Sequence, residues 1–315
     1  MPIVVPSPTV AAPVEIEGLR KEYRSGRGHR VVALDGLDLT IPAGGVFGFL
    51  GPNGSGKTTT IRCLLGLARP TAGRCRLLGS DSTTDYGRVQ ARVGSMIETS
   101  ALFPGFTGRQ NLALLAQLGG LPRAAVDGVL ERVELTDRAD DLLRTYSLGM
   151  RQRLNLAAAL LKDPELLILD EPANGLDPAG IRDIRLLLRR LGEEGRTVFV
   201  SSHLLAEVQQ LCDRVAVLAR GRCVATGAVD DVLAAVGASG VVVRLDDVAA
   251  GLAALIAAGL AASVDGEAIH VDVAGADAPL VAEVLGRHGL WPREVRPGGG
   301  SLEEAFLALT EGPGP

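Results

Sequence analysis

The fold of this chain is decided by residues 45–59, which read GVFGFLGPNGSGKTT. The first six residues predict a buried strand, and the next eight form a complete G-x-x-x-x-G-K-S/T pattern. A helix is predicted from Thr58 to about Ala68, so the pattern lies between a strand and a helix, as a phosphate-binding loop requires. Its glycines let successive backbone N–H groups point at phosphate oxygens, Lys57 reaches the β- and γ-phosphates, and the Thr58 hydroxyl can ligate Mg²⁺.

A second phosphate-handling segment lies downstream. Ser147 and Gly149 open a predicted helix, whose N-terminus offers free backbone N–H groups to an anion. The aliphatic residues 166–169 then predict a buried strand that ends in Asp170 and Glu171. Ligands of open α/β sheets bind at this edge. We therefore expect Asp170 to be a direct or water-mediated partner of Mg²⁺, and Glu171 to orient the attacking water, a role worth ~10²–10⁴ in rate.

These motifs resemble the ATP-binding subunits of ABC transporters over residues 15 to about 232. The resemblance implies an α/β P-loop NTPase of ABC type, in which Tyr23 stacks on adenine, residues 175–177 form the D-loop and His203 is the switch histidine. It assigns nucleotide binding to Tyr23, Gly51, Pro52, Asn53, Gly54, Ser55, Gly56, Lys57, Thr58, Thr59, Ser147, Gly149 and Asp177. It assigns catalysis to Glu171, His203 and Lys57, and metal binding to Thr58, Asp170 and Glu98.

The resemblance also implies the cofactors and partners. Two subunits, here expected to form a homodimer, sandwich two ATP molecules with Mg²⁺, and each site pairs one P-loop with the signature helix of the other chain. Ser147 and Gly149 would thus serve the partner's γ-phosphate. The other partner is a separate integral membrane permease, which would hold the chain peripherally at the cytoplasmic face of the cell membrane. A net charge of −5 without a Lys/Arg-rich run argues against a nucleic-acid partner.

Two positions depart from the family pattern. Glu98 stands where the family usually has a glutamine in the loop that couples nucleotide to permease; it keeps an oxygen for Mg²⁺ but loses an amide donor. In the signature, residues 146–150 read YSLGM, and Met150 cannot supply a side-chain amide. Together with residues 103–112, these departures resemble the branch that serves bacitracin-type antibiotic export and lantibiotic immunity, among exporters of the ABC-2 type.

The leading hypothesis is therefore an ATPase subunit that powers export of a drug, an antibiotic or another amphiphile. The alternative is a soluble ABC-type ATPase that acts on ribosomes or DNA without a permease. Such proteins usually carry two nucleotide domains or a long coiled-coil insertion, and this chain has neither. A GTPase would need an N/T-K-x-D motif for base selection, which the sequence lacks.

The composition fits one large and one small domain in 315 residues. Cys63, Cys75, Cys212 and Cys223 lack metal-ligand spacing and are interpreted as buried thiols in a reducing compartment. Residues 1–14 do not resemble a signal peptide and are expected to be a disordered extension. Residues 248–264 carry no charge, but they are too short to span a membrane, and Gly259 is expected to end their helix.

Two domains are predicted from the order of elements. Residues 15–236 alternate strands and helices and contain a helical subdomain at about 100–150, which carries the signature. Residues 240–315 form a small α+β accessory domain with the ferredoxin-like order β-α-β-β-α-β, whose last strand is predicted at 291–295 and which ends in a helix over 301–310. This domain is interpreted as a dimer-stabilising or partner-contacting module, with a regulatory ligand site as the alternative.

Overall fold

The computed structural model describes residues 12–24, 30–97, 102–236, 240–266, 268–273 and 277–297. Its contacts divide the chain into two compact units, Met1–Val229 and Asp230–Pro315. Three expectations concern residues outside the described ranges: the state of residues 1–11, the role of Glu98 and the helix over 301–310. The first strand begins at Val14, the last residue of the expected disordered extension.

The first unit contains ten strands and six complete helices of the described chain. The strands are β1 (Val14–Arg24), β2 (Arg30–Ile41), β3 (Gly45–Leu50), β4 (Ala72–Leu77), β5 (Ser80–Asp81), β6 (Val93–Met96), β7 (Leu166–Asp170), β8 (Thr197–Ser202), β9 (Arg214–Ala219) and β10 (Arg222–Ala228). The helices are α1 (Lys57–Leu64), α2 (Gly108–Leu118), α3 (Ala124–Arg132), α4 (Leu148–Leu160), α5 (Pro178–Glu193) and α6 (Leu205–Leu211). A further helix, α7 (Val229–Val236), begins at the boundary between the units.

The central sheet has the strand order β10-β9-β3-β8-β7-β6. All of its neighbours pair in parallel except β9 and β10. Every residue of β7 is buried, as expected for a parallel strand covered on both faces. Leu50 pairs with Ser202 and Asp170 pairs with Ser201. The start of the P-loop and the acidic end of β7 therefore lie at the same edge of the sheet.

A second sheet, with the order β2-β1-β4-β5, is antiparallel throughout. The sequence predicted only alternating strands and helices over residues 15–236 and did not predict this antiparallel sheet, because strand type depends on the choice of pairing partner and not on the apolar pattern alone. One core cluster joins both sheets and α1, and it includes Leu19, Leu39, Ile61 and Phe49. Phe49 packs against Phe199, with the ring centroids 5.3 Å apart.

The predicted helical subdomain contains α2, α3 and the start of α4. Thr107 caps α2 by accepting a hydrogen bond from Gln110 N, and the Gln110 side chain accepts from Thr107 N. The buried Tyr146 hydroxyl donates to Arg138 O at 2.6 Å. This bond anchors the chain two residues before α4, at the first residue of the signature.

The second unit contains β11 (Val241–Arg244), α8 (Val248–Ala257), β12 (Ala262–Asp265), β13 (Ala268–Val271), α9 (Ala278–Arg287) and β14 (Glu294–Pro297). The sheet order β12-β13-β11-β14 is antiparallel and has the ferredoxin-like arrangement. As expected, α8 ends just before Gly259, whose φ is 81°. No helix in the described part of the chain is long and apolar enough to cross a membrane.

The prediction of a last strand at 291–295 was wrong by about three residues. After α9 the chain turns through Gly289, whose φ is 71°, and Leu290 N bonds to Leu285 O. Trp291 remains 78% exposed, and pairing with β11 begins only at Glu294. The aromatic and β-branched residues predicted a strand, but the turn after the helix determined where pairing could start.

Candidate functional site

The P-loop joins β3 to α1 in a tight curve that excludes side chains from its inner turns. Gly54 has a φ of 80°, and Gly56, the N-cap of α1, has a φ of 112°. A Cβ at Gly56 would lie 2.7 Å from Ala33 O, and one at Gly51 would lie 2.5 Å from Ser55 Oγ. Ser55 is 3% exposed, and its hydroxyl is among the buried polar atoms in the described residues without a hydrogen-bond partner. The loop thus fits an oxyanion ligand, because an orphan donor lies beside backbone N–H groups at a helix N-terminus.

Lys57 is a buried cation at the first position of α1. Its side chain is only 6% exposed. The ammonium donates to Gly51 O at 2.6 Å and to Pro52 O at 3.3 Å, and it lies 3.2 Å from Glu171 Oε1. A buried ammonium needs such partners. The P-loop cation and the carboxylate after β7, far apart in sequence, are therefore in direct contact.

Asp170 ends β7 and is held by two hydroxyl groups. Thr58 Oγ1 donates to its Oδ2 at 2.7 Å, and Ser201 Oγ donates to its Oδ1 at 2.5 Å. The side chain is buried, which such bonds make possible. Thr58 and Asp170 thus present a hydroxyl and a carboxylate oxygen side by side, the hard oxygen donors that Mg²⁺ prefers when water and phosphate complete its shell.

The Mg²⁺ ion expected here would not be held by protein ligands alone. The described residues contain no cluster of three or more His, Cys, Asp or Glu side chains able to bind a metal. Mg²⁺ is commonly bound through one or two carboxylates plus substrate phosphates, so a site with one hydroxyl and one carboxylate fits it. The third predicted ligand, Glu98, lies outside the described residues and stays a prediction.

Glu171 lies between a cation and an imidazole. Its Oε1 faces Lys57, and its Oε2 is 2.8 Å from His203 Nδ1. An ionised carboxylate can only accept, so the proton of His203 must be on Nδ1, which leaves Nε2 to face another group. Glu171 itself has a φ of 50°, a left-handed conformation that is uncommon for a residue with a side chain. The side chain is thus fixed from both ends in an unusual backbone setting.

The signature and the D-loop segment lie close to each other. Ser147 caps α4 by accepting from Met150 N at 3.2 Å, and Asp177 caps α5 by accepting from Gly180 N at 2.9 Å. A Cβ built on Gly149 would lie 3.9 Å from Leu176, which is ordinary van der Waals contact. Both caps have a local structural role, and their predicted roles toward a nucleotide stay predictions.

A cleft of about 510 Å³ runs from the acidic edge of the sheet to the first turns of α4. Thr58, Asp170 and Glu171 line one side, and Leu148, Arg151 and Gln152 line the other. Ser147 and Gly149 do not line it. Within one chain, Asp170 and Glu171 therefore share this cleft with Thr58 of the P-loop, whereas Ser147 and Gly149 take no part in its lining.

Tyr23 is not among the residues that line this cleft. It lies on β1, is 39% exposed, and has the Lys21 ammonium 4.9 Å from its ring centroid. A partly exposed ring can stack on a base. Its role toward adenine stays a prediction.

Sequence reasoning missed Ser201, which contacts both acidic residues of the site. Glu171 N donates to Ser201 Oγ at 3.0 Å, in addition to the bond from Ser201 to Asp170. One signal was present in the sequence, because Ser201 directly follows the apolar residues 198–200, and a hydroxyl buried beside such a run needs a hydrogen-bond partner. The partner can be identified only from the register between β7 and β8, which places Ser201 opposite Asp170.

The four cysteines are free thiols, as predicted, but their burial differs. Cys63, Cys75 and Cys212 are buried, whereas Cys223 is only half-buried. Burial raises the pKa of the Cys75 thiol to about 12, and it also raises the pKa values of the other three. The thiols are therefore protonated at neutral pH.

Comparison with known proteins gives consistent matches. The ABC transporter family model matches residues 34–174. The daunorubicin/doxorubicin resistance ATP-binding protein DrrA of Streptomyces peucetius is 37% identical over 312 residues, covering 95% of this chain and 93% of the relative. The bacitracin transport ATP-binding protein BcrA of Enterococcus faecalis is 44% identical over 213 residues, covering 67% of this chain and 68% of the relative.

Two solved structures are also similar. The cbiO1 protein of Clostridium perfringens, part of the ABC transporter complex cbiONQ, has a TM-score of 0.63 and 30% identity, and covers 71% of this chain and 91% of the other. A dimeric ATP-binding cassette in a post-hydrolysis state with ADP and Pi has a TM-score of 0.62 and 26% identity, and covers 69% and 98% of the two chains.

Proposed function

This chain belongs to the ATP-binding proteins of the ABC transporter family, and from that premise we propose that it hydrolyses ATP to power a separate membrane permease that exports a drug, an antibiotic or another amphiphile. The observation that carries the proposal is the cluster formed by Lys57, Thr58, Asp170, Glu171 and His203 at one edge of the sheet. The names of the relatives, one for bacitracin transport and one for daunorubicin and doxorubicin resistance, support the substrate class.

In this proposal the P-loop and Lys57 bind the β- and γ-phosphates. The backbone N–H groups of the loop and the Ser55 hydroxyl donate to phosphate oxygens, and the buried ammonium balances their charge. Thr58 and Asp170 would hold Mg²⁺, directly or through water, and the bound ion would neutralise charge on the phosphates. Because these donors are fixed before the nucleotide arrives, little reorganisation is needed for the reaction.

Glu171 orients the attacking water and accepts a hydrogen bond from it. His203 donates through Nδ1 to Glu171, which fixes the direction of the carboxylate and leaves Nε2 for the γ-phosphate. Water attacks the γ-phosphorus and gives a proton to Glu171, the bond from the γ-phosphorus to the oxygen that bridges to the β-phosphate breaks, and ADP and inorganic phosphate leave. A positioned base of this kind is worth ~10²–10⁴ in rate.

We further propose that two copies of the chain form a homodimer on ATP. Ser147 and Gly149 of each copy then close over the nucleotide bound by the partner's P-loop. Within one chain, Ser147 and Gly149 are absent from the lining of the cleft that Thr58, Asp170 and Glu171 line, which supports this arrangement. The dimer would be attached to the cytoplasmic face of the membrane through the permease, and nucleic acid would not be a partner.

The test of the catalytic assignment is Glu171→Gln. We expect this variant to bind ATP, to form a stable dimer with it and to hydrolyse it ~10²–10⁴-fold more slowly. Glu193→Gln, at an exposed position in α5, is the matched control and should behave as the wild type. Steady-state phosphate release, fluorescent-nucleotide binding and size-exclusion chromatography measure the three properties. Unchanged turnover in Glu171→Gln would refute the assignment.

The transport assignment needs a separate test. A neighbouring open reading frame that encodes a six-span hydrophobic protein would identify the permease, and the two proteins should co-purify from membranes. We expect bacitracin or an anthracycline to stimulate ATP hydrolysis by that complex. Recovery of the chain on ribosomes or DNA, without a membrane partner, would contradict export.

A further inference from the structure

Ser201 connects the two acidic residues of the site. It lies in β8, directly opposite Asp170 of β7, and it is fully buried. Its hydroxyl oxygen is 2.5 Å from Asp170 Oδ1 and 3.0 Å from Glu171 N. The side chain of one residue and the main chain of the next are thus held by a single atom.

The direction of both hydrogen bonds is fixed by chemistry. The Glu171 N–H can only donate, and an ionised Asp170 carboxylate can only accept. The Ser201 hydroxyl has one proton, so it must accept from Glu171 and donate to Asp170. The two bonds run in series through Ser201 Oγ, and bonds in series inside a protein polarise and strengthen one another.

Glu171, the residue that donates a hydrogen bond to Ser201, has a strained backbone conformation. Glu171 has a φ of 50°, and residues other than glycine keep such a conformation only where their surroundings impose it. This turn of the backbone directs the Glu171 carboxylate toward Lys57 and His203 rather than along the strand. A contact that restrains the Glu171 amide therefore also restrains where its carboxylate lies.

We propose that Ser201 is a positioning residue for ATP hydrolysis. Its hydroxyl sets the orientation of the Asp170 carboxylate toward Mg²⁺ and keeps Glu171 in the backbone conformation that directs its side chain at the attacking water. The inference rests on the proposed function. It differs from a purely structural role, in which the serine would satisfy a buried carboxylate and affect stability alone.

The experiment compares Ser201→Thr with Ser201→Val in the full chain. The two side chains have the same shape and differ only in hydroxyl against methyl, so their difference isolates the hydrogen bonds. Ser201→Ala is a second variant that removes the hydroxyl without added volume. Thr197→Val is the control, because Thr197 is a buried hydroxyl at the other end of β8, where it accepts from Gly44 N at 2.9 Å.

Two readouts are measured. The first is the Mg²⁺ concentration that gives half-maximal binding of a fluorescent ADP analogue, which requires no turnover. The second is the separation of kcat from KM for ATP. Loss of a group that orients a metal ligand typically costs ~10–100-fold in metal affinity or activity. We expect Ser201→Val and Ser201→Ala to raise the Mg²⁺ requirement and lower kcat by about tenfold or more, with little change in KM, and Ser201→Thr to restore both.

Several results would overturn the inference. If the variants without the hydroxyl keep the wild-type Mg²⁺ requirement and kcat, or if Thr197→Val changes them equally, Ser201 is a structural residue only. The same conclusion follows if Ser201→Val fails to fold and Ser201→Ala is wild-type in both readouts. Failure of the proposed function would be seen separately, as unchanged hydrolysis in Glu171→Gln.

Discussion

The two units of this chain bury different kinds of side chain. Ten polar or charged residues are buried in the described structure, and all of them belong to the first unit. The core cluster of the second unit contains only Val, Leu, Ile and Ala side chains. Backbone strain is divided in the same way, because the described residues with positive φ other than glycine, Glu171 among them, also lie in the first unit.

This difference separates stability from chemistry. A buried polar group costs free energy unless it is hydrogen-bonded, so a domain without a reaction to perform has no reason to keep a buried lysine and aspartate in contact with other polar groups. The first unit keeps Asp170 at the carboxyl end of β7 and Lys57 at the start of α1, whereas the second unit has an ordinary aliphatic core. Substitutions in the two units should therefore affect different measurements.

The largest effect is expected from Leu255→Ala in the second unit. Leu255 is fully buried in the core cluster of α8, α9 and the sheet. Removing such a side chain costs about 2–5 kcal/mol in the free energy of unfolding. Urea unfolding followed by circular dichroism should record this loss, while ATP hydrolysis under native conditions stays at the wild-type rate.

The control is Leu280→Ala, which truncates a leucine of α9 that is 46% exposed. It should lower stability far less. If Leu255→Ala instead reduces ATP hydrolysis in proportion to its destabilisation, the two units are coupled, and the separation between stability and chemistry does not hold.

The same division explains which features could be predicted from the sequence. The fold of the first unit was predictable because β3 and β7 are short apolar runs that end in residues with one chemical use, the P-loop and Asp170-Glu171. The order of strands and helices in the second unit was predictable because the spacing of its apolar residues and the positions of its turn residues indicate the same elements. Neither depended on knowing which strands are neighbours.

What the sequence could not predict depended on pairing. The antiparallel sheet formed by β1, β2, β4 and β5 requires its partners to be known, and so does the contact between Ser201 and Asp170. Ser201 lies 31 residues from Asp170 in the chain. Its importance is visible only once β8 is known to lie beside β7. The half-buried state of Cys223 on the edge strand β10 has the same origin.

The next effect in size is expected from His203→Ala. His203 contacts Glu171 and is part of the site, so its loss should lower kcat about 100-fold, in the range of a positioned acid–base group. His288→Ala is the matched control, because this exposed histidine follows α9 in the second unit. Urea midpoints should change little in either variant. A fall in activity of equal size in His288→Ala would contradict the division between the units.

The smallest effect is expected from Gly149→Ala, which tests whether the signature serves a second chain. A Cβ at Gly149 meets nothing closer than Leu176 at 3.9 Å, so the fold should accept alanine and the urea midpoint should stay unchanged. If Gly149 closes over a nucleotide, the added methyl group should weaken roughly one charge-assisted hydrogen bond of about 1.5 kcal/mol and slow hydrolysis about tenfold. Phosphate release at saturating ATP measures this rate.

Mixing Gly149→Ala with Lys57→Ala determines whose nucleotide the signature serves. In the proposed homodimer, a mixed dimer contains one copy of each variant. One of its two sites combines an intact P-loop with an intact signature, and the other site carries both substitutions. Random mixing yields half mixed dimers with one active site of two, so about a quarter of the wild-type rate should return. If each signature acted on its own chain's ATP, every site would keep one defect, and mixing would give only the average of the two separate rates.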